Sequence, residues 1–210
     1  MALGRGIGAL AVGVAVALAG GLLAIGLAEA NPSPASVLSS TRRFVDAATA
    51  VSYSARVTIT GPAASDGSEV VRHLAIAGRV TFPHAFDCEV TEGARVSEYL
   101  FAPGSSGVLL RSDVGWTHTV GLPPLVDASL VRSILDQATS ARRHGDAAWS
   151  VDVSVRDQNA EVDATRRGRP TRVVVTQRAS GSTVTAIYAF SGWNAGVSVV
   201  APEPSEVSPS

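Results

Sequence analysis

Apolar and polar residues alternate along most of the chain, which predicts a protein built mainly of β-strands. The pattern is clearest in residues 51–60, where Val51, Tyr53 and Val57 share one face and serine, arginine and threonine occupy the other. A period of two is typical of a strand with one buried face. Similar stretches separated by turn sequences predict about nine or ten strands. They are residues 51–60, 69–82, 86–91, 94–101, 108–111, 116–120, 149–155, 173–177, 183–190 and 197–200.

Two segments follow a helical period instead. Residues 37–50 and 125–143 carry apolar side chains at three- and four-residue steps, as an amphipathic helix does. In the longer segment, Asp127 stands where it can cap the first turn. The basic residues 142–144 are expected at the C-terminal end of this helix, where positive charge suits the helix dipole.

So many strands around one long helix predict an α+β fold. An open sheet of nine or ten strands twists and curls, and it can bury one face by curling around the amphipathic helix. We therefore expect a single, strongly curved antiparallel sheet, a half-barrel, wrapped around the helix at 125–143. Within the strand at 69–82, Gly78 marks the place where a bend or bulge is expected.

The N-terminus has the pattern of an export signal. Residues 6–28 carry no charge, Arg5 precedes them, and Ala28-Glu29-Ala30 follows as a small-x-small cleavage site. The apolar run is also long enough to span a membrane. Two alternatives stay open, cleavage after Ala30 or retention as an N-terminal anchor helix. In both, the remainder faces away from the cytoplasm.

Composition divides the chain into four parts. Residues 1–30 are the signal peptide or membrane anchor, and residues 31–35 form a short spacer rich in proline and serine. Residues 36–202 are long enough for one domain with a genuine core. Residues 203–210 contain mainly proline, serine and glutamate, which predicts a disordered tail.

Charge and cysteine content narrow the classes of function. The net charge is −1, which argues against nucleic acid as a partner. Cys88 is the single cysteine, so no internal disulfide forms and no lipid-modified cysteine follows the signal. The arginines at 166, 167, 169 and 172 are the one cluster of charge. They are expected at a solvated hairpin tip, with contact to anionic lipid head groups or cell-wall polymer as the alternative.

No arrangement of residues predicts catalysis, a metal ion or a cofactor. His84 and Cys88 would point to one side of a strand, and Asp87 and Glu89 to the other, so one ion could not gather them. The remaining histidines lie in unrelated sequence surroundings, where a nucleophile would lack its base. We therefore expect a non-enzymatic protein without cofactors, in which Cys88 is a small buried residue.

Three stretches carry a resemblance to a known fold. They are Tyr53-Ser54-Ala55-Arg56-Val57-Thr58-Ile59-Thr60, Asp113-Val114-Gly115-Trp116, and Ala189-Phe190-Ser191-Gly192-Trp193-Asn194 with the following Val197–Pro202. With the order of elements, they resemble the LolA-like lipoprotein-carrier fold, and within it the actinobacterial lipid-binding lipoproteins of the LppX/LprG type. The resemblance spans most of residues 35–202, although the acylated cysteine usual in those lipoproteins is absent. It implies that acyl chains bind between sheet and helix.

We therefore expect an exported cell-envelope protein that binds lipid or acyl chains in a carrier- or chaperone-like role. It would lie at the extracytoplasmic face of the cell membrane, held there by residues 6–28 if these are uncleaved, or be secreted. The alternative is a membrane-anchored envelope sensor or protein-interaction module of the same fold, with an envelope protein as partner. An ordinary packed core would need the same residues as a lipid cavity. The residues expected to line that cavity are Leu74, Ile76, Val80, Phe82, Phe86, Leu100, Leu110, Leu130 and Ile134.

Overall fold

The structure is a computed structural model, and it describes most of the chain after the N-terminal apolar segment. The predicted signal or anchor, the predicted cap Asp127 and His84 lie outside the described residues. Within the described part of the chain, no helix is both long and apolar enough to cross a membrane. The described residues are 32–62, 69–82, 85–103, 107–120, 128–139, 141–144, 148–155, 158–179 and 181–208.

One curved antiparallel sheet contains all eleven strands found in these ranges, which confirms the predicted single sheet. Strands β1 to β6 neighbour one another in sequence order, and so do β7 to β11. The two runs meet where β1 pairs with β11. The strands are β1 Ala50–Pro62, β2 Glu69–Thr81, β3 Ala85–Glu92, β4 Arg95–Phe101, β5 Val108–Ser112, β6 Gly115–Thr119, β7 Arg142–His144, β8 Ala148–Val155, β9 Gln158–Thr165, β10 Pro170–Ala179 and β11 Ser182–Ser191.

Two of these strands were not predicted. Residues 142–144 form β7, which pairs with β8 at one edge of the sheet, rather than the end of a helix. Residues 158–165 form β9, although Gln158 and Asn159 have turn-forming character. The buried face of β9 is only Ala160, Val162 and Ala164, and such small residues give a weak alternating signal.

The C-terminal segment differs from its prediction in two ways. Residues 197–200 form no strand, and Val199 is buried against the sheet instead. Residues 203–208, whose composition predicts disorder, include a short 3₁₀ helix at Pro204–Glu206. After it, Val207 forms a parallel bridge with Trp116, and the Ser208 amide donates to the Trp116 carbonyl at 2.8 Å. The apolar Val207 packs beside the Trp116 ring, which explains the order of this segment.

Two helices are described, α1 at Pro34–Asp46 and α2 at Ala128–Gln137. They pack against each other, and α2 also packs on β8 and β9. The Arg42 guanidinium of α1 donates to the carbonyls of Leu135, at 2.7 and 3.2 Å, and Ala138, at 3.1 Å. The Leu135 carbonyl also accepts from the Ala138 amide at 3.2 Å. Arg42 therefore adds a charged donor from α1 at the C-terminal end of α2, where a cation suits the helix dipole. The Arg132 side chain of α2 pairs with Asp46 at 2.7 Å.

The core lies between the helices and one face of the sheet, which we call the helix face. The opposite face is called the outer face. Burial of one large aliphatic side chain contributes about 1.5–3 kcal/mol, so this cluster is the main source of stability. Its members with the least exposure are Val37, Val45, Val51, Val57, Val131, Leu135, Val151, Val162 and Val173.

Candidate functional site

The helix face is covered unevenly. Helix α2 packs on β8 and β9, on the half of the sheet that ends at β7. On the other half, many apolar side chains of the helix face are only partly buried. We call this surface the open arm, and it is the candidate site. Its members are Ile59 of β1, Leu74 of β2, Val90 of β3, Tyr99 and Phe101 of β4, and Val108 and Leu110 of β5.

The lengths of the elements explain this surface. Strands β1 and β2 have 13 residues each, which corresponds to about 43 Å of extended chain. Helix α2 has 10 residues and is only about 15 Å long. Along the helix face of β1, Val51 and Val57 are each 1% exposed, whereas Ile59 beyond them is only partly buried. Among the described residues, the packed covering of this face therefore ends before β1 does.

Most of the residues predicted to line a cavity lie on the helix side of the sheet. Ile76, Val80, Phe86 and Ile134 are buried in the main core. The others are only partly buried, namely Leu74, Phe82, Leu110 and Leu130 on this side of the sheet.

Leu100 was wrongly assigned to this set. It lies on the outer face, in a small second cluster with Leu109 and Val199. Strand β4 is apolar on both faces near its end, so residue type alone could not show which side Leu100 takes. The structure shows that Tyr99 and Phe101 occupy the helix face instead.

Several residues of the open arm were missed from the sequence. Val90 lies on the same face of β3 as Phe86 and Cys88, and the alternation of apolar and polar residues in the sequence already indicated this. The assignment of Val108 requires the pairing of β4 with β5, which fixes which face each residue takes. Sequence alone does not supply that register.

The Tyr53 side chain lies on the helix face, between the buried core and the open arm. Tyr53 pairs with Gly78, which pairs with Cys88, which pairs with Tyr99, so the four residues form one row across β1 to β4. A Cβ atom on Gly78 would lie 2.9 Å from Tyr53 Cζ and 2.8 Å from Cys88 Cβ. The Tyr53 ring therefore lies over Gly78, and its hydroxyl end is beside Cys88.

The expected bend at Gly78 is not observed. Strand β2 keeps continuous register with both neighbours through this position. Position 78 requires glycine because the Tyr53 ring leaves no space for a Cβ atom, and not because the strand forms a bulge there.

The Tyr53 hydroxyl has no hydrogen-bond partner in the described structure. The residue is 3% exposed, and the Cys88 thiol is the polar group that lies beside its hydroxyl. Burial raises the pKa of Tyr53 well above its ordinary value, and the neighbouring Cys88, Tyr188 and Asp87 raise it further. The group is therefore a neutral donor at physiological pH.

Cys88 is a buried free cysteine, as expected. Burial raises the pKa of its thiol to about 12, and the negative charge of Asp87 adds to the rise. A thiol with this pKa is not a nucleophile near neutral pH, because the thiolate is the reactive form. Among the described residues, no group of three or more histidine, cysteine, aspartate or glutamate side chains could hold a metal ion.

The arginine cluster is only partly a solvated hairpin tip. Arg167 and Arg169 are exposed, but Gly168 between them is buried against α1. A Cβ atom on Gly168 would lie 2.6 Å from the backbone of Ser40 and Thr41. Arg172 pairs with Asp163 at 3.0 Å. The tip is therefore part of the packing of α1.

A concave feature lies on the outer face of the same half of the sheet. It is a pocket of about 300 Å³, and Trp116 and Leu100 contribute its apolar part. Its charges are mostly paired, since Arg79 bonds to Asp87 and Arg111 bonds to Glu98 at 2.9 Å. Most of the residues that line this pocket lie on the opposite face from the open arm, and Tyr99 contributes to both.

Comparison with known proteins gives only distant similarity. No family model matches the chain, and no curated protein matches it. Among solved structures, a DUF1329 family protein from Desulfovibrio piger is 9% identical, with 80% of this chain and 96% of that chain covered and a TM-score of 0.28. A LolA superfamily protein from Nitrosomonas europaea is 13% identical, with 75% and 92% covered and a TM-score of 0.23.

A third solved structure is an outer membrane lipoprotein-sorting protein domain from Vibrio parahaemolyticus. It is 8% identical, with 76% of this chain and 92% of that chain covered and a TM-score of 0.27. At identities and TM-scores this low, nothing about the function of these proteins is transferred to this chain.

Proposed function

We propose that this protein binds an acyl chain or a similar apolar ligand on the open arm, in a non-enzymatic carrier-like role outside the cytoplasm. The observation that carries this proposal is the partly exposed apolar surface of Ile59, Leu74, Val90, Tyr99 and Val108. A concave, mostly apolar surface with few polar groups is the usual form of a lipid or small-molecule site. The uncharged segment at residues 6–28 supports the location.

The shape of this surface favours an extended ligand. The open arm runs across five neighbouring strands, β1 to β5, spaced about 4.8 Å apart, and is continuous with the buried core. A hydrocarbon chain laid along it would remove apolar surface of both partners from water, at about 25 cal/mol for each Å². We also propose that the protein is related to the LolA-like carriers, including those of the LppX/LprG type. This part of the proposal rests on the three sequence stretches that resemble them.

A pair of matched substitutions tests the site. Val90→Thr places a hydroxyl on the open arm with almost unchanged shape, whereas Val96→Thr makes the same change at a 55% exposed position on the outer face. We expect Val90→Thr to weaken binding of a fluorescent acyl lipid about tenfold, because a buried hydroxyl without a partner is costly. Val96→Thr should bind like the wild type.

The measurement is titration of delipidated, refolded full-length protein, with native mass spectrometry of the purified protein to detect a co-purifying lipid. Absence of uptake by the wild type would contradict the proposal. Equal affinity in both variants would place the ligand elsewhere.

The alternative function, an envelope sensor or interaction module, is favoured by the outer-face pocket. Its mixed charges and its partly buried tryptophan suit a protein surface more than a lipid. Glu89→Lys changes the charge of this pocket without touching the helix face. If the alternative holds, that variant loses a partner recovered from membranes with the wild type, while Val90→Thr retains it.

A further inference from the structure

The helix face changes from apolar to charged along its strands. On β4, Phe101 and Tyr99 pack against the main core, and the same face continues through Ser97 to Arg95. Arg95 stands beside the turn that joins β3 to β4, at about 20 Å of extended strand from Phe101. The face therefore has the polarity of an amphiphile, apolar toward the core and charged at the far end of the open arm.

Three charged side chains form this far end. Arg72 of β2 follows Leu74 on the helix face, and Glu92 of β3 follows Val90. Glu92 is directly opposite Arg95 in the pairing of β3 with β4. Because side chains alternate strictly along a strand, all three project from the same side of the sheet as the open arm.

Glu92 pairs with only one of the two arginines. Arg72 donates from Nε to Glu92 Oε1 at 2.6 Å and from Nη2 to Oε2 at 2.8 Å, so both carboxylate oxygens are engaged. Arg95 is exposed and forms no ion pair or side-chain hydrogen bond with any described residue. The end of the open arm thus carries one positive charge in excess, on a planar group that can donate two parallel hydrogen bonds to an anion.

We propose that Arg95 binds the anionic head group of an acyl ligand whose hydrocarbon chain lies on the open arm. This inference rests on the proposed function and adds the ligand class, a lipid that ends in a carboxylate or a phosphate. It also gives the ligand a direction, with the head group in water at the β3–β4 turn and the tail toward Phe101. Since water screens the ion pair, it contributes about three- to tenfold in affinity.

The test compares Arg95→Gln with the wild type on three fluorescent probes that share one hydrocarbon chain. They are pyrenedecanoic acid, pyrenedecanoyl lysophosphatidic acid and methyl pyrenedecanoate, which end in a carboxylate, a phosphate and a neutral ester. Each is titrated into full-length protein below the concentration at which the probe forms micelles. Arg95→Gln should lose about three- to tenfold in affinity for an anionic probe and keep its affinity for the ester. The anion that is affected distinguishes a carboxylate from a phosphate head group.

A second substitution should change affinity in the opposite direction. Glu92→Gln removes the negative charge beside Arg95 and releases the Arg72 guanidinium, so it should strengthen binding of the same anionic probe about three- to tenfold. Loss of an exposed ion pair costs little stability, and urea unfolding checks that both variants remain folded. A purely structural role of these residues does not predict a gain in affinity.

Arg56→Gln is the control, because Arg56 is an exposed arginine on the outer face of β1. It should bind all three probes like the wild type. An equal loss for anions and ester in Arg95→Gln, or the same loss in Arg56→Gln, overturns the inference. If the wild type binds none of the probes, the proposed function itself fails. Binding that Val90→Thr weakens and Arg95→Gln leaves unchanged rejects only the head-group contact.

Discussion

The absence of a side chain at Gly78 allows the Tyr53 ring to pack across the row that these residues form with Cys88 and Tyr99. Gly78 lies beneath the Tyr53 ring and beside Cys88, with no space for a side chain. Gly78→Ala should therefore lower the free energy of unfolding by about 1–3 kcal/mol, because overpacking forces neighbouring atoms to shift. Urea unfolding followed by circular dichroism measures this. Gly196→Ala is the control, since nothing lies within 4 Å of its added Cβ atom, and equal stability of the two variants would contradict the prediction.

Buried thiol and phenol groups with raised pKa values lower the stability of the folded protein at alkaline pH. The pKa values of Cys88 and Tyr188 are raised to about 12 in the folded protein, from ordinary values of 9.0 and 10.0. Between the ordinary and the raised pKa, the folded state holds more protons than the unfolded state, so stability falls as pH rises. The contribution of each group to the free energy of unfolding is fully present at pH values below its ordinary pKa. Above that pKa, the free energy of unfolding falls by about 1.4 kcal/mol per pH unit for each group.

Unfolding by urea at a series of pH values checks this. The free energy of unfolding should begin to fall above pH 9.0, where Cys88 titrates in the unfolded chain. Cys88→Ala should remove the slope up to the region where tyrosine titrates, at its ordinary value of 10.0. A wild-type stability that stays level to about pH 11 would be incompatible with these buried groups.

Single positions were predictable where alternation was clean. Ile76, Val80 and Phe86 could be placed on one buried face because polar residues separate them. Leu100 could not be placed, since its strand is apolar on both sides, and one face packs against the distant Val199. The role of Gly78 was also beyond the sequence, because it depends on which tyrosine a neighbouring strand places above it.

The end of α2 depends on a side chain from α1. Arg42 donates to the Leu135 carbonyl in the last turn and to the Ala138 carbonyl just beyond the helix, and Arg42→Met removes both hydrogen bonds. We expect a loss of about 1–2 kcal/mol in the free energy of unfolding, as for other lost hydrogen bonds to charged groups. Urea unfolding and helical circular dichroism provide the measurement. Arg43→Met, at an exposed position of the same helix, should change stability by less than about 0.5 kcal/mol, and a similar loss in both would refute the capping role.

Elements with a strong period were predictable, and those with small or mixed residues were not. Strands β1, β2 and β8 alternate clearly and were found at nearly their observed limits. The helical period of residues 125–143 continued through Ala138 and Ala141, which are buried but lie beyond α2. Small residues fit the buried side of a helix and of a sheet equally well, so the end of α2 and the start of β7 could not be located.

The two edges of the sheet are protected differently. The β7 edge has only three residues and carries Arg142 and Arg143, and short, charged edge strands resist pairing with other molecules. The β6 edge is covered by the C-terminal segment through the bridge between Trp116 and Val207. The composition of that segment gave no sign of this role, because a single valine makes the contact.

Removal of the C-terminal cover should therefore expose an edge. A chain ending at residue 202 lacks Val207, so the backbone of β6 loses its bridge partner at Trp116. The hydrophobic cluster that contains Trp116 also loses the Val207 side chain. We expect concentration-dependent self-association and a red shift of tryptophan emission, measured by light scattering and fluorescence. Val200→Asp, at a position 70% exposed, should behave as the wild type. A shortened protein that stays monomeric with unchanged emission would show that the bridge has no such role.

The pairing of β1 with β11 has a consequence for the order in which the chain folds. Every other strand pair in the described part of the chain joins consecutive strands, but Tyr53 of β1 pairs with Phe190 of β11. Pairing over so long a separation is slow, and it cannot begin before the last strand is available. A polypeptide that emerges N-terminus first presents β1 long before β11, so the pair that joins the two runs of strands forms last. The sheet is therefore completed only after β11 has emerged.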